Sequence, residues 1–256
     1  HNLLMIGPPG VGKTLLAKSL PSIMPEMEIK EALEVTAIYS AAGLIPKGKK
    51  IITSRPFRSP HHTSSETAII GGGNAPKPGE NTLAHRGVLF LDELPEFHRD
   101  VLESLRQPLE EGRIEIARSK YRFSFPAKFT LVAAANPCPC GFYNHPLKEC
   151  KCSISQINRY QRKISGPLAD RIDLHIRFSG VNYQDLISDK STENETRKLR
   201  EKIKAAREIQ KARFQKEKII LNSEMKVNHI KKYCQIDSKS HSVLKSLVDK
   251  SKLSPR

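Results

Sequence analysis

Three short apolar runs are spaced along the chain: Asn-Leu-Leu-Met-Ile at positions 2–6, Val88–Leu91, and Phe129–Ala135. Each is continuous rather than alternating, as expected of a strand buried on both faces of a parallel sheet. Each stops at residues with chemistry of their own: a glycine-rich loop after Ile6, Asp92-Glu93 after Leu91, and Asn136-Pro137 after Ala135. Residues 113–125 show a different period. Arg113-Ile114-Glu115-Ile116-Ala117 alternates, Arg118-Ser119-Lys120 turns, and Tyr121–Phe125 alternates again, which predicts a β-hairpin.

Helical patterns fill the intervals. Leu15–Leu20 predicts a helix ending before Pro21, and Pro95–Gly112 a single helix with Val101, Leu102, Leu105 and Leu109 on its core stripe. Past Val181 the chain turns polar and lysine-rich. Residues 188–194 read as a linker, followed by helices over 195–216 (Leu199, Ile203, Ala206 and Phe214 near helical spacing), 227–233 and 240–250. The pattern gives an α/β fold: a parallel-sheet core with loop and hairpin inserts over residues 1–187, and a small α-helical lid over 188–256. No internal repeat is evident.

At 256 residues, with 38% hydrophobic and 27% charged residues, the chain suits one large domain or two smaller ones. No apolar run is long enough to span a bilayer, so no membrane partner is expected, and collagen-like or disulfide-scaffold classes are excluded by composition. Charge adds a clue. Lys+Arg number 43 and Asp+Glu 27, a net +16, and residues 190–256 alone carry 19 basic against 8 acidic residues. Such a surface attracts polyanions, nucleic acid among them, although a solvated lysine-rich helix face has the same composition. The chain starts at His1 without a Met and stops at Arg256 where a helix could begin, so a fragment of a longer protein is expected.

The loop after the first strand reads Gly7-Pro8-Pro9-Gly10-Val11-Gly12-Lys13-Thr14, with a helix pattern directly behind it. This is G-x-x-x-x-G-K-T in its required strand–loop–helix setting. Glycines let the backbone curl so that N–H groups face phosphate oxygens, and the helix N-terminus adds its positive dipole end. Lys13 is placed to reach the β- and γ-phosphates, and Thr14 to ligate Mg²⁺. Asp92 fits the Mg²⁺-side carboxylate, Glu93 the base that polarises water, and Asn136 a group that orients that water near the γ-phosphate.

The ordered set Gly7–Thr14, Val88–Glu93, Thr130–Pro137 and Ser165–Leu174 resembles the AAA+ ATPases of the magnesium-chelatase-like branch. With Phe57-Arg58-Ser59-Pro60-His61-His62-Thr63, Ala84–Leu94 and Asn136-Pro137-Cys138-Pro139-Cys140-Gly141, it is similar to the bacterial ComM/YifB competence-protein family across nearly the whole chain. The resemblance implies Walker A roles for Lys13 and Thr14, Walker B roles for Asp92 and Glu93, and a sensor-1 role for Asn136. It further implies that Arg171 is an arginine finger acting on ATP held by a neighbouring subunit, and that Arg256 is the sensor-2 arginine of the lid. A Lon-protease-like domain precedes the ATPase in that family and is absent from this chain. A cytoplasmic, ATP- and Mg²⁺-using hexameric ring that moves on DNA, as in branch migration, is what the resemblance implies. A chelatase-type remodeller of a partner protein, and a nucleotide-dependent assembly scaffold, are the alternatives.

Four of the five cysteines cluster as C-x-C-x₉-C-x-C: Cys138, Cys140, Cys150 and Cys152. Four thiolates in one turn-rich stretch can close around a tetrahedral structural Zn²⁺ that leaves no open position for catalysis. Two disulfides and four free thiols are the competing readings, and His145 stands between the pairs as a substitute ligand. Cys234 reads as a small buried residue. Residues 54–87 read as a loop insert within the roughly 65 residues separating the first helix from Val88. Lys47, Lys49, Lys50, Arg55 and Arg58 near it, and Arg118 and Lys120 at the hairpin tip, are candidates to face DNA phosphates in a ring pore.

Overall fold

A computed structural model describes residues 1–45, 47–48, 50–73, 76–117, 122–164, 166–179, 192–217 and 219–251. Arg256, Lys49, and the hairpin tip with Arg118 and Lys120 lie outside the described residues, as does most of the expected linker. The elements run β1 (Leu3–Ile6), α1 (Lys13–Ile23), α2 (Ile29–Ala41), β2 (Phe57–Arg58), α3 (Glu66–Ile70), β3 (Gly71–Gly72), β4 (Lys77–Pro78), α4 (Glu80–Leu83) and β5 (Val88–Leu91). There follow α5 (Arg99–Ser104), α6 (Arg106–Glu111), β6 (Arg113–Ala117), β7 (Arg122–Pro126), β8 (Thr130–Ala135), α7 (Ile154–Arg162), β9 (Leu174–Arg177), α8 (Thr192–Arg213), α9 (Val227–Tyr233) and α10 (Ser238–Ser251). The chain divides into two compact units, His1–Thr196 and Arg197–Arg256.

The first unit is built on a five-stranded sheet of order β2-β5-β8-β1-β9, in which every pairing is parallel. The three apolar runs are adjacent in it, at β5, β8 and β1. Burial on both faces explains why they do not alternate. Leu4, Leu89, Leu91, Leu131, Ala133 and Ala135 pack with Ile69 of α3, Val101 and Leu102 of α5 and Leu105 on one face. Met5, Val88, Phe90, Val132 and Ala134 pack on the other with Ala17 and Leu20 of α1. Because successive side chains of a strand point to opposite faces, each run supplies both layers.

The hairpin forms as expected, antiparallel between β6 and β7 with Arg113 opposite Pro126 and Ile116 opposite Phe123. Three helix readings change. First, α1 continues through Pro21 to Ile23. Second, Pro95–Gly112 is not one helix: a 3₁₀ turn at Leu94–Glu96 precedes α5 and α6, which meet at Leu105. Third, Asn194 lies inside α8 and not in a linker. The stretch 54–87 is no plain loop, since it carries β2, α3, β3, β4 and α4.

In the second unit Phe214 is buried against Tyr233, ring centroids 5.5 Å apart and perpendicular. Glu217 accepts from both Lys232 Nζ (2.8 Å) and the Tyr233 hydroxyl (2.9 Å). Cys234 is exposed, contrary to the sequence expectation: it caps the last turn of α9 and is left open among the described residues.

Candidate nucleotide site

The phosphate loop is bent by local backbone geometry. Gly12 caps α1 in the left-handed region (φ 83°, ψ 13°), which a side chain would disfavour. The loop is anchored below by the Gly7 N–H, which donates to Ala135 O at 3.2 Å, so its base is fixed to the end of β8. Lys13 folds back under the loop. Its Nζ donates to Gly7 O (2.7 Å), Pro8 O (2.9 Å) and Asn136 Oδ1 (3.2 Å). The residue is only 8% exposed, and burial holds its ammonium below the usual lysine range while Asp92 and Glu93 pull the other way. A desolvated ammonium facing neutral carbonyls gains strongly from an anionic phosphate.

Thr14 Oγ1 donates to Asp92 Oδ2 at 2.7 Å, so the first turn of α1 and the tip of β5 touch. These are hard oxygen donors of the kind Mg²⁺ requires, hydroxyl and carboxylate side by side. Glu93 takes the left-handed conformation (φ 52°), and its N–H donates to Asp92 Oδ1 at 3.0 Å. A non-glycine residue there is strained, and the strain aims two consecutive carboxylates in different directions. Lys13, Thr14, Asp92 and Asn136 thus converge through direct contacts, and Glu93 adjoins them with its side chain 56% exposed.

One residue without a role in the sequence reading joins this set. His62 Nδ1 lies 3.4 Å from Glu93 Oε2. Its ring is held between His61 (centroids 4.1 Å) and the edge of Phe97 (6.4 Å). The signal was present as two adjacent histidines three and four residues past Arg58. The parallel pairing of β2 with β5 is what brings them to the acidic tip. Asn136 is braced as well. The Pro137 carbonyl beside it accepts from Gln161 Nε2 at 3.1 Å. The Tyr160 hydroxyl is pushed up to about 12 by burial and then by the Glu96 charge, while the Asn136 backbone draws it down.

Arg171 lies apart from its own phosphate loop. It precedes β9 by three residues, at the end of the sheet where Asn2 precedes β1. Asn2 Nδ2 donates to Arg171 O at 2.8 Å. With parallel strands rising about 3.3 Å per residue, a strand length separates it from Gly7. Its guanidinium bonds Glu110 and the Pro167 carbonyl, and its Nε is buried with no partner among the described residues. Neither Asp170 nor Asp173 is its partner.

The four cysteines close into a knot just past Asn136. All four Sγ atoms lie within 4.8 Å of one another, with Cys138–Cys140 at 3.4 Å, Cys140–Cys150 at 3.6 Å and Cys138–Cys150 at 3.7 Å. A tetrahedron of metal–sulfur bonds about 2.3 Å long has edges of about 3.8 Å, so the spacing suits one metal. Backbone N–H groups face the sulfurs, Tyr143 N donating to Cys138 at 3.3 Å. The N–H groups of Phe142 and then Lys151 pull the Cys140 thiol down to about 6. Cys150, although drawn down by the N–H of Cys152, is pushed up to about 12 by burial and by the Cys140 and Cys138 sulfurs. Crowded thiols suppress one another's ionisation, and a cation among them removes the conflict. His145 is not part of the knot: its Nδ1 accepts from Leu147 N and Lys148 N, each at 3.1 Å.

Two of the basic residues considered for a pore are engaged elsewhere. Arg55 is half-buried with its side chain 7% exposed, donating to Pro25 O, Glu26 O, Arg86 O and Glu31. Arg58 makes a bidentate pair with Glu80, both bonds 2.6 Å. Lys47 and Lys50 are exposed.

A parallel sheet with a phosphate loop after β1, an acidic tip on the neighbour-but-one strand β5, and a polar tip on β8 between them define an ATPase domain of the AAA+ class. The chain belongs to the magnesium chelatase, subunit ChlI, family: residues 1–186 match that family's model and residues 193–256 the model of its C-terminal region. It is 42% identical over 244 residues to the uncharacterized protein YifB of Escherichia coli (strain K12), covering 93% of this chain and 46% of that protein. It is 43% identical over 258 residues to competence protein ComM of Haemophilus influenzae, covering 100% and 49%. A more distant relative is the magnesium-chelatase 38 kDa subunit of Cereibacter sphaeroides, 24% identical over 150 residues, covering 53% and 45%. The chain spans about half the length of the curated relatives it matches. No helix among the described residues is long and apolar enough to cross a membrane.

Proposed function

We propose that this chain is the ATP-hydrolysing core of a ring-forming motor that acts on DNA. The observation that carries the reading is the contact set joining Lys13, Asn136, Thr14 and Asp92 at the tips of three adjacent strands. Lys13 exchanges its carbonyl acceptors for β- and γ-phosphate oxygens, which attract the ammonium more strongly than neutral acceptors do. Thr14 and Asp92 hold Mg²⁺, which supplies neutralisation of the phosphate charge. Glu93 accepts the proton of the attacking water, with His62 fixing the carboxylate. Asn136, in contact with Lys13, orients that water. Arg171 of an adjacent copy meets the transferring phosphoryl group, a contribution worth roughly 10³–10⁵ in rate. Its distance from its own loop supports action in trans, and on docking it exchanges Glu110 for the more highly charged phosphate. A sensor-2 role for Arg256 belongs to the same reading.

The net charge of +16 supports a polyanionic partner, contacted through its backbone because no base-reading element stands out. We place the β6–β7 hairpins, six in the ring and one from each copy, against that backbone, in a cytoplasmic hexamer engaged in branch migration. We read the four-cysteine knot as a structural Zn²⁺ site: four soft thiolates select zinc, and no open ligand position remains for catalysis. The test is ATPase activity of the full chain with and without branched DNA. Stimulation several-fold or more by DNA, with strand movement, is expected. Stimulation only by a protein partner would instead establish a chelatase-type remodeller, and assembly on ATP without turnover would establish a scaffold.

A further inference from the structure

The cysteine knot and the phosphate loop meet at one point. Cys138 is two residues beyond Asn136 and fully buried. The chain then turns through Gly141, whose N–H donates to Cys138 O at 3.0 Å and whose φ is +84°. A Cβ at Gly141 would lie 2.7 Å from Pro9 Cδ and 3.9 Å from Asn136 Cγ. The turn therefore sits directly on the phosphate loop and beside the polar tip of β8. Past it, Tyr143, Asn144, His145 and Pro146 wall a cavity of about 740 Å³ whose other side is formed by Gly7, Pro8 and the end of β9.

The sulfurs tie the two ends of this wall together. No helix or strand forms between Ala135 and Ile154. Its ends are pinned, by the Gln161 Nε2 bond to Pro137 O (3.1 Å) and by the capping box of Ser153 and Gln156 that starts α7 directly after Cys152. Between those pins the four sulfurs join Cys138 and Cys140 to Cys150, while the other contacts stay within residues 138–148: His145 on the Phe142 ring edge, Lys148 Nζ over that ring, and the backbone N–H groups at His145. The two apolar layers of the sheet include none of the four cysteines. The knot is placed to set the nucleotide site without supporting the core.

We propose that the metal bound by Cys138, Cys140, Cys150 and Cys152 is a clamp for nucleotide binding, holding the Gly141 turn against Pro9 and keeping Asn136 at Lys13. This rests on the zinc reading. Metal loss frees the turn, the phosphate loop and Asn136 lose their backing, and affinity for nucleotide falls while the sheet stays folded. The coupling runs through one contact, so a side chain at Gly141 has the same effect with the metal in place.

The experiment takes the full chain, purified under reducing conditions, and measures metal by mass spectrometry and affinity for fluorescent mant-ATP by titration. About one zinc per chain is expected. Removal with an organomercurial and a chelator, or the double change Cys150→Ser and Cys152→Ser, raises the Kd about tenfold or more with far-ultraviolet dichroism retained, and added zinc restores the stripped wild type. Should those variants fail to fold, Gly141→Ala decides: full metal content with a Kd raised severalfold supports the clamp, and an unchanged Kd overturns it. Zinc that is present and removable with mant-ATP binding unaltered overturns the clamp and leaves the metal site standing. Absence of metal from folded, reduced protein overturns the zinc reading, and the clamp with it.

Discussion

His85 shows how much one side chain can do away from the site. It is 2% exposed, with Nε2 3.2 Å from Glu34 and Nδ1 accepting the Lys128 N–H at 3.0 Å. That pairing assigns the neutral tautomer with its proton on Nε2. Burial above all, against the pull of Glu34, lowers its pKa to about 4 from 6.5. The neutral form is therefore the one that folds. Between pH 6.5 and 4 the unfolded chain binds a proton that the native chain refuses. Stability accordingly falls as pH drops through that window and does not depend on His85 above it. The full effect is about 3 kcal/mol. Thermal melts at pH 7.5 and 5 read it: His85→Gln should lose less on acidification than wild type. Equal losses in both would mean that His85 does not titrate differently on folding.

Elements explain which features the sequence discloses. The three buried strands were legible because short continuous apolar runs bounded by Gly, Asp or Asn suit a strand covered on both faces and have few other uses. The hairpin and Val227–Tyr233 were legible from local period alone. Pro95–Gly112 was misread because its stripe of Val101, Leu102 and Leu105 satisfies one helix as well as two. Nothing in the local pattern marks the joint at Leu105 between α5 and α6. Pro21 misled for a different reason. A proline there removes one N–H and crowds the carbonyl four residues back, yet α1 carries it, with only Ser22 and Ile23 following before the C-cap Met24. In the site, Lys13, Thr14, Asp92 and Asn136 are marked by motif spacing. His62 is marked only as one of two adjacent histidines and Gly141 on Pro9 by nothing local, since both contacts depend on how loops meet at the strand tips. Arg55 and Arg58 show the reverse: charge in sequence suggested a surface role, and tertiary pairing with Glu31 and Glu80 removed it.

For the whole molecule, the proposed assembly makes a claim no single copy can satisfy. Glu93→Gln retains a competent Arg171 and Arg171→Ala retains a competent Glu93. Each variant alone should bind ATP and hydrolyse it at least about a hundredfold more slowly than wild type. Mixed together, they form interfaces in which the Glu93→Gln copy lends its arginine to the other's intact site, so a fraction of the rate returns. Mixtures as inactive as the separate variants would count against sharing between copies. Beneath the assembly lies the single-copy site, and magnesium-ATP titration calorimetry on the folded full chain tests it most directly. The account predicts saturable uptake of one nucleotide per chain, abolished by Lys13→Ala with the fold intact. Uptake that is absent in wild type, or undiminished in the variant, would contradict it.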